Sequence, residues 1–289
     1  MSLRITPTPC LRRGLPNLTD TDSSPISAIS GEEARPGHAG LVFHRYLSKQ
    51  NDPDALRKLL EVCCSSVAEV RELYAEAFRR FDSATEGAVK RRFKVNGRLV
   101  IGLGEPTPLE VGLRLHWTYG VPFIPGSSLK GLAAHYCSEV WGQGEGSAFR
   151  PGAPPGGEES PYEVIFGSTE DAGHVCFYDA WLVPEALGAP GNRGDLGRGC
   201  LHLDVLTVHH HDYYTSKAPK PPTDEDEPVP VPFLSVSGTF LVAVQADVPG
   251  PDGEAWAELA MELLTRALRH WGAGGKTSSG YGRMLATTM

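Results

Sequence analysis

No apolar run in this 289-residue chain approaches the ~20 residues needed to cross a bilayer. The opening MSLRITPTPCLRRG also lacks the apolar block of a secretion signal, so the expected setting is cytoplasmic, with no membrane partner. The six cysteines, at 10, 63, 64, 137, 176 and 200, form no CxxC pair, which argues against a zinc ribbon or a disulfide framework and for scattered, reduced thiols. Positive charge is in deficit: 27 Lys and Arg face 35 Asp and Glu, a formal net charge of −8. On average that disfavours a nucleic-acid partner. Also missing are a GxSxG elbow, a Cys–His pair in evident register and a closely spaced carboxylate dyad, which removes the usual signs of covalent or glycosidic catalysis.

The charge that is present is segregated. Asp224 to Glu227 form one acidic run inside the proline-rich segment KAPKPPTDEDEPVPVP, which reads as an exposed loop, whereas Arg79 to Arg98 carry seven basic and two acidic residues. Because screened charges act over about a Debye length, ~8 Å at physiological salt, a local basic surface remains available to phosphates despite the total.

Residues 1–50 are rich in Pro, Ser, Thr and Gly and read as irregular, with one short element near Leu41 to Leu47. Apolar residues from Leu56 to Phe81 trace one stripe, predicting a helix over 53–81. In RRFKVNGRLVIGLG, Asn96-Gly97 between two apolar-polar stretches predicts a hairpin carrying Arg91, Arg92, Lys94 and Arg98. EVGLRLHWTYG reads as a strand. VPFIPGSSLKGLAAHYC turns at Pro125-Gly126 and opens a helix, and a Gly/Pro insertion covers 142–161. HVCFYDAWLV, CLHLDVLTVHH and FLSVSGTFLVAVQADV are strand-like, with the long acidic loop, 215–231, before the third. A third helix is expected from Gly253 to Trp271, capped by Asp252 and ended by Gly272, followed by a short terminal strand. The pattern predicts an α+β fold with helices packed on one face of an antiparallel sheet.

Three constellations could carry chemistry. HWGAGGKTSSGYGRM places Gly274, Gly275, Lys276, Thr277, Ser278, Ser279, Gly280, Tyr281 and Arg283 together, as an anion-binding loop would. It is not a P-loop: His270 stands where the first glycine belongs, and the order is helix, loop, strand. IPGSSLKG sets Gly126, Ser127, Ser128 and Lys130 at a helix N-terminus, where they serve either as a serine cap or as an anion site. In VHHHDYY, His209 and His211 share one strand face, and His202 and Asp204 lie upstream with the same two-residue spacing, a pattern open to metal binding, to contact with RNA bases or backbone together with Tyr213, or to plain packing. A second pair of metal ligands at diagnostic spacing is absent, so no metal or other cofactor is expected. An RNA endonuclease using His209 or His211 as general acid-base stays as the enzymatic alternative.

Taken in order, GVPFIPGSSLKGLAAHYC, YEVIFGS, VCFYDAWLV, LHLDVLTVHHHDYY with its proline-rich loop, PVPFLSVSGTFLVAV and GAGGKTSSGYGRM resemble the RAMP proteins of CRISPR systems. More narrowly, the set is similar to the sixth-subunit family of the type III-B, or Cmr, effector complexes. The resemblance covers roughly 90–287. It implies a modified ferredoxin-like, RRM-related fold, one RAMP domain over 1–289 with insertions at 142–161 and 215–231. It also implies a non-catalytic subunit in antiviral defence that grips the guide RNA (crRNA) near its 3′ end and caps the backbone stack. Expected partners are crRNA, target RNA, and other RAMP and small helical subunits, with no small-molecule substrate. Gly126 to Lys130 and Gly272 to Arg283 match the family's two loops, while Arg92, Lys94, His209, His211, Tyr213 and Tyr281 complete the expected RNA-binding set.

Overall fold

The computed structural model describes residues 38–288 apart from 50–51, 106, 108, 110, 145–146, 153–159, 190–198, 209–212, 214–220, 222 and 224–227. In chain order the described elements are helices α1 (Ala39–Arg45), α2 (Pro53–Ser66) and α3 (Arg71–Ala84), strands β1 (Val89–Val95) and β2 (Phe123–Ile124), and helices α4 (Gly126–Tyr136) and α5 (Pro161–Phe166). Strands β3 (Val175–Phe177), β4 (Ala180–Leu182), β5 (Leu201–Val208), β6 (Val229–Val236) and β7 (Thr239–Ala246) follow, then helix α6 (Pro251–His270) and strand β8 (Met284–Thr287).

The main sheet runs β2-β4-β7-β1-β8, with β3 also on β7, and every pairing is antiparallel. Counting β3 and β4 as one strand broken at Tyr178-Asp179, the chain order β1, α4, β3/β4, β7, α6, β8 is a βαββαβ unit. Its strands lie in the order fourth, first, third, second, which is the ferredoxin-like arrangement expected.

α6 lies across β7, β1 and β8 with α4 beside it. Phe93, Phe240, Val242, Val244 and Met284 from the sheet meet Ala260, Leu264, Ala267 and Leu268 from α6, all of them buried. Each large apolar side chain there contributes roughly 1.5–3 kcal/mol. α6 begins on Pro251 rather than on an Asp252 cap, with Gly250 before it, and carries Arg269 and His270 in its last turn, where cations oppose the helix dipole. As expected, Gly272 ends it, donating its amide to Ala267 O at 3.1 Å.

The sheet's other face is half covered. Along β1, Phe93 and Val95 are buried toward α6 while Arg92 and Lys94 alternate with them and are exposed. Trp181 of β4 stacks on Tyr74 and Phe81 of α3, at 5.6 and 4.9 Å between centroids. Lys90 reaches Asp82 at the end of α3, at 2.6 Å. Beyond α3's reach, Arg92, Lys94 and Leu285 stay open to solvent. A second ladder, β5-β6, packs one face on α2. Its strand β6 places Pro230 and Pro232 opposite Thr207 and Val205, and Val236 exchanges backbone bonds with Leu99.

Three local expectations change. The segment after Asn96-Gly97 does not fold back on β1, because β7 and β8 already take both of that strand's edges; Leu99 bridges to Val236 instead. The helix over 53–81 is two helices joined by a 3-10 turn at Val67–Val70. Ser65 and Ser66 both donate hydroxyls to Val62 O, at 2.9 and 2.6 Å, back-bonds of the kind that bend helices. The described residues 111–120 form no ladder strand. Among them only Leu115 bridges, to Pro122, closing a tight turn on His116–Gly120.

Candidate nucleic-acid interface

The glycine-rich loop leaves α6 and returns as β8, a path fixed by backbone bonds. Ala273 N–H donates to Gly282 O at 2.9 Å, Gly282 N–H to Arg98 O at 2.8 Å and Gly275 N–H to Val100 O at 2.8 Å. Gly274 has φ +79, and a Cβ there would stand 2.1 Å from Val100 O. Two amides that the sequence offered to an anion, those of Gly275 and Gly282, are therefore committed to the segment 98–100. At the crest, Lys276 adopts a left-handed φ of 57 and precedes a single 3-10 turn, Thr277–Ser279. The amides of Thr277 and Ser278 open that turn, where helical hydrogen bonding leaves N–H groups without a partner. Thr277 is half-buried, and Ser278, Ser279 and Gly280 are exposed.

Tyr281 anchors the loop. Its hydroxyl donates to Asp204 Oδ2 of β5 at 2.7 Å, and its ring lies 6.3 Å from Phe233 of β6. That bond to a carboxylate, with burial second, pushes the phenol up to about 12. The side chain thus locks the β5-β6 ladder to the loop, a use that competes with the base stacking expected of it. Next to Asp204, His202 is buried with Nε2 2.7 Å from Ser237 Oγ. Burial and then Arg98 hold its pKa below the ordinary 6.5, against an opposing pull from Asp204. A histidine depressed in the fold contributes stability that is complete above 6.5 and lost as pH falls through its folded value. His44 and His116 shift the same way, burial leading in each. We expect a flat melting temperature from pH 8 to about 6.5 and a decline below, shallower in His202→Asn.

At the start of α4 the expected serine cap is absent. Pro125 is the capping residue, and Ser127 and Ser128 lie inside the first turn, exposed. Gly126 N–H donates to Asp179 Oδ1 at 2.7 Å, and a Cβ on Gly126 would meet Phe177 O at 2.0 Å. Asp179, from the break between β3 and β4, thus brings a carboxylate of the chain's own to the helix N-terminus. Sequence reading missed it; the signal was one acid inside the apolar run HVCFYDAWLV. What remains for an external anion is Ser127, Ser128 and Lys130.

The two loops do not form one pocket. Gly126 rests on Phe177 and Tyr178, while the other end of α4 meets the end of α6. There Tyr136 Oη is 2.9 Å from His270 Nδ1, and Trp271 is 5.0 Å from the Tyr136 ring. The length of α4, roughly 15 Å at 1.5 Å per residue, separates Gly126 from the start of the second loop.

Many basic residues are already paired: Arg57 with Glu61, Arg79 and Arg80 with Glu76, Arg91 with Glu258 and Glu262, Arg114 with Glu105, Arg266 with Glu262. Arg92, Lys94, Arg98, Lys130, Lys276 and Arg283 form no ion pair among the described residues. Asn96 N–H donates to Arg283 O at 2.8 Å, so Arg283 adjoins the end of the strand that carries Arg92 and Lys94. His209 and His211 lie outside the described residues, and Tyr213 is exposed. Among the described residues no three His, Cys, Asp or Glu side chains group as metal ligands, and no helix is long and apolar enough to cross a membrane.

Comparison with known proteins gives a consistent result. A family model described as the RAMP superfamily matches residues 92–285. The CRISPR system Cmr subunit Cmr6 of Pyrococcus furiosus is 32% identical over 261 residues, 74% of this chain and 73% of that protein. The crystal structure of Cmr6 from Pyrococcus furiosus aligns at 29% identity and TM-score 0.43, over 70% of this chain and 98% of that one. A chain of a type III-B Cmr-beta complex bound to cognate target RNA, seen by cryo-EM, aligns over 92% of both chains at 20% identity and TM-score 0.54. With its βαββαβ sheet, the family-model match over 92–285 and the 32% identity to the Pyrococcus protein, the chain belongs to the RAMP superfamily and is a relative of the Cmr6 subunit of CRISPR systems.

Proposed function

We propose that this protein is a guide-RNA-binding subunit of a type III-B CRISPR effector complex, capping the backbone stack near the 3′ end of the crRNA without catalysing a reaction. Its partners are the crRNA, the target RNA, and the RAMP and small helical subunits beside it. The observation that carries the reading is the distribution of ion pairs. Arg57, Arg79, Arg80 and Arg266 on the helices and Lys90 and Arg91 on β1 pair with carboxylates, whereas among the described residues Lys276, Arg283 and Arg98 at the glycine-rich loop, Arg92 and Lys94 on the open half-sheet, and Lys130 on α4 do not, nor do the scattered helical cations Arg45, Lys58, Arg71 and Arg269. Such cations, with Ser and Thr hydroxyls and the amides of one 3-10 turn, suit phosphate and ribose, which fix register without reading sequence. That indifference is what a subunit handling many guides requires.

Because the loops are a helix length apart, their contributions should add. We expect Lys130→Ala and Lys276→Ala each to weaken binding of a single-stranded guide-like RNA and to lower the log–log salt slope by roughly 0.7, and the double variant by about 1.4. Titrations between low and physiological salt measure this, and an unchanged slope in the double variant removes both loops from the RNA path. The same RNA, labelled and given Mg²⁺ or Mn²⁺, tests the alternative. Cleavage that disappears in His209→Ala or His211→Ala would make the chain a nuclease.

A further inference from the structure

Away from both loops, the turn His116–Gly120 holds up Trp117, a residue 81% exposed. The other four tryptophans, 141, 181, 256 and 271, are all partly buried. An indole left in water forfeits a large burial gain, so the way it is held matters. His116 O accepts from Gly120 N–H at 2.7 Å, His116 N–H donates to Val121 O at 2.8 Å, and Thr118 N–H donates to His116 Nδ1 at 3.2 Å. His38 Nε2 lies 2.9 Å from Trp117 O, and Gly120 packs on the backbone of Ala39 and Gly40. Beneath the indole, His44 of α1 stacks almost parallel, 6.0 Å between centroids at 18°. The turn is braced from behind as well: His116 and Tyr119 pack on Trp181 at 5.3 and 6.0 Å. The side chain is thus presented on a rigid frame, one aromatic face supported.

We infer that Trp117, backed by His44, is a stacking platform for one unpaired nucleobase of the RNA this chain binds. The inference rests on the RNA-binding reading above. The surroundings favour a base over a protein side chain. Imidazoles of His38, His44 and His116 border the platform, and the exposed Arg45 follows His44 on α1, whereas an interface anchor usually occupies the dry centre of an apolar patch. Leu41, one helical turn before His44, is the exposed aliphatic neighbour on α1. Base–aromatic stacking is tolerant of sequence, because every base has a π-face, and so agrees with a guide of any sequence.

The test titrates the full chain with a short oligoadenylate and with an abasic oligoribonucleotide of equal length, following tryptophan fluorescence and affinity. Wild type should bind the oligoadenylate with quenching. Trp117→Ala should lose most of that quenching and weaken binding roughly 5- to 150-fold, with Trp117→Phe in between and a circular dichroism melt unchanged. The abasic oligomer should bind wild type and Trp117→Ala alike. Equal oligoadenylate binding by wild type and Trp117→Ala overturns the platform alone. So does a Trp117→Ala chain that binds RNA normally but no longer co-purifies with its neighbouring subunits, which would make Trp117 a protein anchor. If wild type binds neither oligomer, the RNA-binding reading itself falls.

Discussion

Gly274→Ala should lower the melting temperature by roughly 4–20 °C. The left-handed φ of +79 costs an L-residue about 1–2 kcal/mol. A Cβ 2.1 Å from Val100 O must also displace backbone, and overpacking of that kind costs a further ~1–3 kcal/mol. For a chain of this size each kcal/mol moves the midpoint by about 2–4 °C. Gly280→Ala is the control: its φ is +90, yet nothing lies within 4 Å of its Cβ, so about 1 kcal/mol and a shift of only 2–4 °C are expected. Equal shifts in the two variants would show that backbone strain alone, and not contact with the 98–100 segment, limits the loop. The RNA salt slope of Gly280→Ala should match wild type, since that substitution removes no cation.

Trp181→Ala should cost still more, about 3–5 kcal/mol, in the range of large aromatic truncations. The indole stacks on Tyr74 and Phe81 and also touches Tyr119 and His116, so it joins α3, the sheet and the turn bearing Trp117. Its loss removes the chief attachment of α3 to the second sheet face, although Tyr74 Oη still donates to Leu182 O at 2.8 Å. Limited proteolysis should then cut near α3 well before the α6 side of the sheet. Trp181→Phe should recover about half of the lost stability. A Trp181→Ala chain with an unchanged urea midpoint would mean that α3 is held by Tyr74 and Lys90 instead.

What the sequence revealed, and what it hid, follows from the range of the forces. The periodicity of Trp256, Leu259, Leu263 and Leu268 depends on neighbours within two turns, so α6 was legible to within two residues. Lys276, Thr277 and Ser278 were found together because they are consecutive. The hairpin at Asn96-Gly97 failed because its fate was decided by β7 and β8, about 145 and 190 residues later in the chain. The contacts of Asp179 and Tyr281 were hidden for the same reason: the first finds Gly126, 53 residues away, and the second finds Asp204, 77 away. Glycines read as room for phosphate prove at Gly126 and Gly274 to be room for the chain's own carbonyls. Trp117 carried no sequence signal, because its exposure is set by α1 and by Trp181.

The prolines of β6 have a consequence for solubility. A proline nitrogen carries no hydrogen, so Pro230 and Pro232 must turn theirs away from β5, onto the ribbon's outer margin. Where that margin could accept another strand it is short of donors, and at Val236 it is already occupied by Leu99. An edge strand left open is an invitation to stack copy upon copy into fibres; here two imino acids and one short crossing segment withdraw it.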